Sequence, residues 1–318
     1  MLPLLSQAQR TCGTMMYLEN QILLNHNLEQ QMIQEEIQLQ SFINSSSMDA
    51  NNIITIPVVV HVVYYNNNQN ISDTQIFSQI DILNNDFRRL NSDTINTPSI
   101  FQNVAADTQI EFCLAVNDPN GNPTNGITRT ATNQNSFSTN DGVKYSAYGG
   151  VDAWPTDQYL NIWVCNISGG ILGYAQFPGG DPTSDGVVCD YQYFGNIGTA
   201  TAPYNLGRTA THEVGHWLNL RHIWGDSFCG NDFCNDTPEH SGSNYGCPSH
   251  PSASCSNNGD MFMNYMDYTD DICMNIFTND QKNRMIAAIN TQRSGLLTST
   301  ACQSPDLGCT DPAALNYS

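Results

Sequence analysis

An α+β fold built on a twisted, largely parallel sheet is what this 318-residue chain predicts. Three observations lead there. Apolar, β-branched runs are interleaved with amphipathic helical stretches up to Trp217. From Ile223 to Asp271 the chain turns rich in Cys, Gly, Asp and Pro and loses its periodicity. Hydrophobic residues make up 40% of the whole, enough for the core of one large domain or two modest ones.

Residues 14–45 read as one helix, because Leu18, Ile22, Leu28, Met32, Ile33 and Ile37 fall roughly on one face and Gly and Pro are absent. Asn44 to Asn52 is small and polar, a linker. Ile53 to Tyr65 is an apolar run suited to a buried strand, and His61 inside it reads as a hydrogen-bonded core histidine. Ser72 and Gln75 form a capping box ahead of the stripe Ile76, Ile80, Leu83, Phe87 and Leu90, which predicts a helix. Strands follow at Ile110–Val116, Tyr159–Cys165, Ile171–Phe177 and Val187–Phe194. A further helix begins near Leu206, anchored by Leu206, Ala210, Val214, Trp217 and Leu218. The last starts at Thr278, with a Thr278/Gln281 capping box, and runs to about Arg293.

The net charge of −20, with only 13% charged residues, excludes nucleic acid as the main partner and fits a secreted protein, or one acting on cationic substrates. Eleven cysteines point to an oxidising compartment, and their odd number leaves at least one unpaired or paired to another molecule. No apolar run approaches a membrane span. Met1 to Gln9 reads as the trimmed end of a signal peptide. Gly308 to Tyr317 resembles the start of a small cysteine-containing repeat found at the C-terminal ends of some secreted bacterial proteins, so the natural chain is expected to continue.

The chemistry concentrates in His212-Glu213-Val214-Gly215-His216-Trp217-Leu218-Asn219-Leu220-Arg221-His222. Residues four apart share a helix face, so His212 and His216 can hold one metal ion with Glu213 alongside. His222 completes a three-nitrogen site if the helix stops and the chain turns back. Three neutral ligands with one open position suit a catalytic zinc. Zinc lowers the pKa of bound water from ~16 toward ~7 and polarises a carbonyl. Glu213 can take a proton and later return it to a leaving amine, which is peptide hydrolysis. The abrupt helix end falls on Asn219, the non-glycine residue that best tolerates the left-handed conformation. The bland alternative has His212 and His216 merely lining a polar helix face.

The spacing is similar to the metzincin pattern H-E-x-x-H-x-x-G-x-x-H, with Asn219 in place of its Gly. Together with Asn264 to Tyr268, Ile223 to Asp226, Asn235 to Pro238 and Met266 to Phe277, it resembles the pappalysin family of metzincin zinc peptidases, in its ulilysin-like (cytophagalysin) branch, across most of residues 53–293. That resemblance implies a metzincin-type domain with a five-stranded, mostly parallel sheet. It implies a Met-turn at Met266 beneath the imidazoles, and Tyr268 as an electrophilic helper. Taken alone, these two would read as a core methionine and a half-buried aromatic. Arg10-Thr11-Cys12-Gly13 looks like the cysteine switch of latent members, with the Cys12 thiolate on zinc; otherwise Cys12 is a leftover thiol or a disulfide partner.

The implied organisation is a signal remnant and inhibitory pro-segment (1–52), an N-terminal catalytic subdomain (53–222), a C-terminal subdomain (223–300) and a tail (301–318). Implied disulfides are Cys229–Cys255 and Cys247–Cys273. Cys113, Cys165 and Cys189 are expected as buried thiols, Cys234 is unassigned, and Cys302 and Cys309 belong to the tail. A structural calcium ion is expected at Asp232, Thr237 and Glu239, in a loop of hard oxygen donors, against the alternative of a solvated acidic loop.

The substrates implied are proteins or peptides, with a basic residue just after the cut, handled by a secreted monomer. The strand Ile171–Phe177 is expected to form the cleft's upper rim, offering an edge to an extended substrate. No Lys or Arg lies between Thr11 and Phe87, so an enzyme restricted to basic residues could not excise its own pro-segment near Asn52. Two other readings compete. One is a catalytically silent binding or adhesion module, against which Glu213 and Tyr268 argue. The other is a site whose third ligand is a distant glutamate, against which His222 argues.

Overall fold

The computed structural model describes residues 10–45 and 52–303. The expected signal remnant, most of the junction before Asn52, and the repeat-like tail with Cys309 lie outside the described residues.

Six strands form one sheet: β1 (Ile54–Tyr64), β2 (Ile110–Leu114), β3 (Ile127–Ala131), β4 (Leu160–Cys165), β5 (Gly173–Ala175) and β6 (Val187–Asp190). The order is β2-β1-β4-β6-β5, and β3 also pairs with β1. β2 takes Ile54–Val58 and β3 takes Val60–Tyr64, both parallel, so the two short strands follow one another along one edge of β1. The sheet is therefore five strand positions wide, with one position shared. Only β5 runs antiparallel, against β6. β3 was missed in the sequence because its alternating, half-exposed Ile-Thr-Arg-Thr-Ala follows a run of turn residues and packs against one neighbour only.

Val58, Val60 and Val62 are fully buried on one face of β1. His61 is buried on the other face. Its ring nitrogens bond Thr128 Oγ1 (2.7 Å) and Asn161 Oδ1 (2.9 Å), the satisfied core histidine that the sequence suggested. Helix α3 (Asp73–Phe87) starts on Ser72, whose hydroxyl accepts from Gln75 N. The expected capping box is only half made. The Gln75 amide turns away instead, donating to the Tyr191 and Phe194 carbonyls in the interior. Leu90 lies past the helix end and is exposed.

Residues 14–45 are two helices, α1 (Thr14–Leu24) and α2 (Leu28–Ser45). The break falls where Asn25 takes an extended conformation and its side chain accepts from Asn27 N, a local bond that competes with the helical one. The apolar face rotates with it: Ile33 and Ile37 are exposed, while Leu39 is buried against Ala287 and Ala288. α2 docks on α5 (Asn279–Gln292), and Glu36 takes a bidentate pair from Arg284 at 2.8 and 2.9 Å. α5 itself carries a complete Thr278/Gln281 capping box.

Disulfides join Cys229 to Cys255 and Cys247 to Cys273 across the irregular half. A third joins Cys113 to Cys302. This corrects the reading of Cys113 as a buried thiol and of Cys302 as a tail cysteine: β2 lies next to the returning chain, where Val116 N bonds Ala301 O. Cys165, Cys189 and Cys234 are buried free thiols.

Candidate metal centre and active site

Helix α4 (Arg208–Trp217) is buried along its whole length. It lies against β5, β6 and α3. Asp86 on α3 fixes it, accepting from Thr211 Oγ1 (2.7 Å), Arg208 Nη1 (2.7 Å) and Tyr265 OH (3.1 Å). One carboxylate thus ties α3, α4 and the Asn264–Met266 turn together. The helix ends at Leu218, and Asn219 is left-handed (φ 70°). Leu220 N bonds Gly215 O and Asn219 N bonds His216 O, both at 2.9 Å, a Schellman closure. Asn219 does here what glycine does in the pattern, and the turn sends His222 back toward the helix.

His212 Nδ1 donates to Tyr265 O (2.7 Å), His216 Nδ1 to Leu220 O (2.8 Å), and His222 Nδ1 to Asp226. Those partners fix the tautomer and leave each Nε2 as a lone pair. His216 Nε2 lies 3.1 Å from both other Nε2 atoms. Three lone pairs so close repel unless a cation lies among them. A tetrahedral zinc with bonds of about 2.0–2.1 Å sets its ligand atoms roughly 3.3 Å apart, so the donors fit that ion. Burial, and the charge of the neighbouring rings, hold His212 and His216 well below the usual imidazole range, so both are neutral donors.

Cys12 brings a sulfur to the same point. Its Sγ and the three histidine nitrogens all lie within 4.8 Å of one another, and among the described residues no other three His, Cys, Asp or Glu groups converge so closely. The segment reaches the site as an added strand on the free edge of β5: Gly13 N bonds Gly173 O (2.8 Å) and Leu172 N bonds Thr11 O (2.9 Å). Gly173 lacks a side chain because a Cβ there would sit 2.8 Å from Glu213 Cγ.

Glu213 Oε2 accepts from Thr14 Oγ1 (2.8 Å) and lies 3.4 Å from Cys12 Sγ. Burial pushes its carboxyl up to about 7, against the pull of the Thr14 and Cys12 bonds and the Arg10 charge. Burial and the Glu213 charge likewise raise the Cys12 thiol. Two residues before Cys12, Arg10 is buried, paired to Asp271 and stacked 5.0 Å over the Tyr204 ring.

Met266 is fully buried; a Cβ on Gly215, between the two helix histidines, would meet its sulfur at 2.5 Å. Its carbonyl accepts from Ile223 N beside His222. The Tyr268 ring lies 5.0 Å from His222 and 5.8 Å from His212, and burial raises its phenol far above the usual range. Asp232, Thr237 and Glu239 line one polar cavity with Asn231 and Asn235, which Ile223, next to His222, also borders. Thr237 Oγ1 bonds both Asp232 oxygens at 2.9 Å, and Glu239 is exposed.

Sequence reasoning missed Thr14, Asp226 and Asp271. Asp226, four residues after a ligand-type histidine, carried a readable signal, since such rings need a partner on the second nitrogen. Thr14 and Asp271 carried none, because both act across long sequence separations.

Fold and centre together define a zinc metallopeptidase of metzincin type. Residues 144–290 match the family described as Pregnancy-associated plasma protein-A. An extracellular metalloprotease of Arthroderma benhamiae is 32% identical over 258 residues, covering 79% of this chain and 83% of the relative. Tannerella forsythia mature mirolysin in complex with a cleaved peptide is 55% identical with a TM-score of 0.78, covering 80% of this chain and all of that one. A Tannerella forsythia promirolysin mutant is 52% identical with a TM-score of 0.86, covering 93% of this chain and all of that one. The chain belongs to the pappalysin family of metallopeptidases, and its substrates are proteins or peptides.

Proposed function

We propose that this chain is the latent form of a secreted zinc endopeptidase, held inactive by Cys12. The observation that carries the reading is the meeting of one sulfur and three imidazole nitrogens at one buried point. His212, His216 and His222 hold the metal throughout, and the thiolate of Cys12 is the fourth donor of the latent state. When bound, zinc acidifies water and polarises the scissile carbonyl.

The chain's own residues do the rest. Leaving Cys12 and Thr14 behind frees the Glu213 carboxylate, which takes a proton from water and returns it to the leaving amine. A carboxylate can serve as both acceptor and donor in these two transfers. The Tyr268 phenol, protonated at every working pH, donates toward the developing oxyanion. Met266 packs against α4 and keeps the histidine pair in place. Asp232, Thr237 and Glu239 would hold a calcium ion, which would stiffen the loop; one buried carboxylate and clustered oxygens in a shared cavity support this.

Residues 1–52 are the inhibitory pro-segment and 53–222 and 223–300 the two catalytic subdomains, with the tail of 301–318 tied to β2 at its start through Ala301 and Cys302. The 93% coverage by a pro-form, against 80% by a mature form, supports a pro-segment distinct from the catalytic part. Extracellular relatives and three disulfides support export. The preference for a basic residue after the cut rests on Arg10, an arginine already lodged beside the metal centre on Asp271 and Tyr204.

The test is casein digestion by the full chain before and after maturation, with a chelator control and with Glu213→Ala. Expected are one zinc per chain in both forms, latency before maturation, activity after it, and none in the variant. Full activity of the unprocessed chain, or equal activity of Glu213→Ala, overturns the reading. N-terminal sequencing of the matured enzyme shows whether it cut itself, since no basic residue lies between Thr11 and Phe87.

A further inference from the structure

Tyr17, on α1, is 2% exposed and fills a socket walled by residues beyond the pro-segment, with Gln21 of α1 itself also donating to its hydroxyl (2.8 Å). Its ring packs on Tyr174 of β5 at 5.1 Å between centroids, and Lys144 Nζ lies 4.6 Å from its centre. Its hydroxyl donates to Asp141 Oδ2 (2.6 Å) and accepts from Lys144 Nζ (3.3 Å). Lys144 is fully buried, which is rare for a lysine without partners, and it has them: Asp141 Oδ1 at 2.8 Å and Ser184 O at 2.7 Å. Gln176 Oε1 closes the wall, 2.9 Å from the Tyr17 hydroxyl and bonded by Ser184 Oγ.

The socket is therefore built without Tyr17. Lys144 and Asp141 hold each other in place, and when α1 leaves they keep one unused N–H and one unused carboxylate oxygen beside the face of Tyr174. That set complements a phenol, which donates and accepts at one atom. A benzyl side chain fits the walls but leaves that one Lys144 N–H and that one Asp141 oxygen without a partner.

We propose that the Tyr17 socket is a substrate subsite of the mature enzyme that selects tyrosine. The inference rests on the pro-segment reading above. Tyr174 belongs to the strand whose free edge an extended substrate would pair with, so the socket opens beside that substrate's backbone. The Asp271 pocket, which takes the residue after the cut on that same reading, lies on the opposite side of Cys12 in the pro-segment. Tyrosine is then selected at one of roughly three positions before the cut, given about 3.3 Å per extended residue.

The experiment uses enzyme matured from the full chain and peptides of one sequence with arginine after the cut. Tyr, Phe and O-methyltyrosine are exchanged at each of the three preceding positions. At one position, kcat/KM for Tyr is expected to exceed that for Phe by about tenfold, with O-methyltyrosine no better than Phe. Asp141→Asn is expected to bring the Tyr-to-Phe ratio toward unity. The substrate series needs no variant, so it stands even where Asp141→Asn fails to fold. Ratios within about twofold at all three positions, while casein and peptides are cut, overturn the subsite and leave the peptidase reading standing. A matured enzyme that cuts no protein overturns both.

Discussion

Gly215→Ala tests how the buried methionine supports α4. A Cβ at this position would lie 2.5 Å from Met266 Sδ and 3.3 Å from Cε. Non-bonded heavy atoms settle at about 3.5–4.0 Å, so the thioether must move by roughly an ångström in a site with no exposure. Overpacking of that kind costs about 1–3 kcal/mol. Alanine in place of glycine inside a helix returns about 1 kcal/mol, so the net effect is a loss of up to about 2 kcal/mol. Met266→Ala removes a fully buried side chain, at about 2–5 kcal/mol. In the double variant the new Cβ enters the vacated space and the clash is gone, leaving only the helix gain. Gly215→Ala is thus expected to destabilise the parent and to stabilise the Met266→Ala background by about 1 kcal/mol. The assay is urea unfolding of all four proteins, with chelator throughout and Glu213→Ala to prevent self-digestion, comparing midpoints at constant m. If Gly215→Ala shifts both backgrounds equally, Met266 does not pack on α4 as described.

Three further outcomes are expected. Gly173→Ala drives a Cβ to 2.8 Å from Glu213 Cγ and 3.0 Å from Val188 O, so proteolysis by the matured enzyme should fall about tenfold to a hundredfold, read as kcat/KM on a peptide. His61 is pushed down to about 4 by burial, below its ordinary 6.5. The unfolded chain therefore takes up the proton first, and this contribution, complete above pH 6.5, is lost as pH falls toward 4. The difference in unfolding free energy between parent and His61→Gln should shrink by about 3 kcal/mol across that window. Asp190, raised to about 6 by burial, acts in the opposite sense over the same range, so the comparison of variants and not the parent curve carries the test. Replacing Cys113 and Cys302 together by serine opens a link spanning 189 residues and should cost about 2–4 kcal/mol, seen as a lower melting temperature under non-reducing conditions that reductant abolishes.

The site was legible where its logic is local. His212, Glu213, His216 and His222 sit within one helix and one turn, and Asn219 announced the turn by its tolerance for positive φ. The strongly periodic elements were legible for the same reason: α3, α4, α5 and the apolar strand β1 carry their patterns within a single window. What was hidden depends on distant partners. The Cys113–Cys302 bridge follows from where residue 301 returns to the sheet, which no spacing encodes. The Arg10–Asp271 pair spans 261 residues. The break at Asn25 was hidden for another reason: the apolar pattern continues through it, and only the Asx bond to Asn27 N decides against the helix. Gln75 was a capping residue by pattern, but buried carbonyls outbid the cap.

β5 is three residues long and lies at the margin of the sheet, where unpaired amides and carbonyls invite any passing extended chain. In the latent protein Thr11 and Gly13 already occupy those groups. Newly made protein would thus fold without presenting a sticky border to its neighbours, and that border would appear only once the molecule is at work, too short to seed fibres but long enough to grip a peptide.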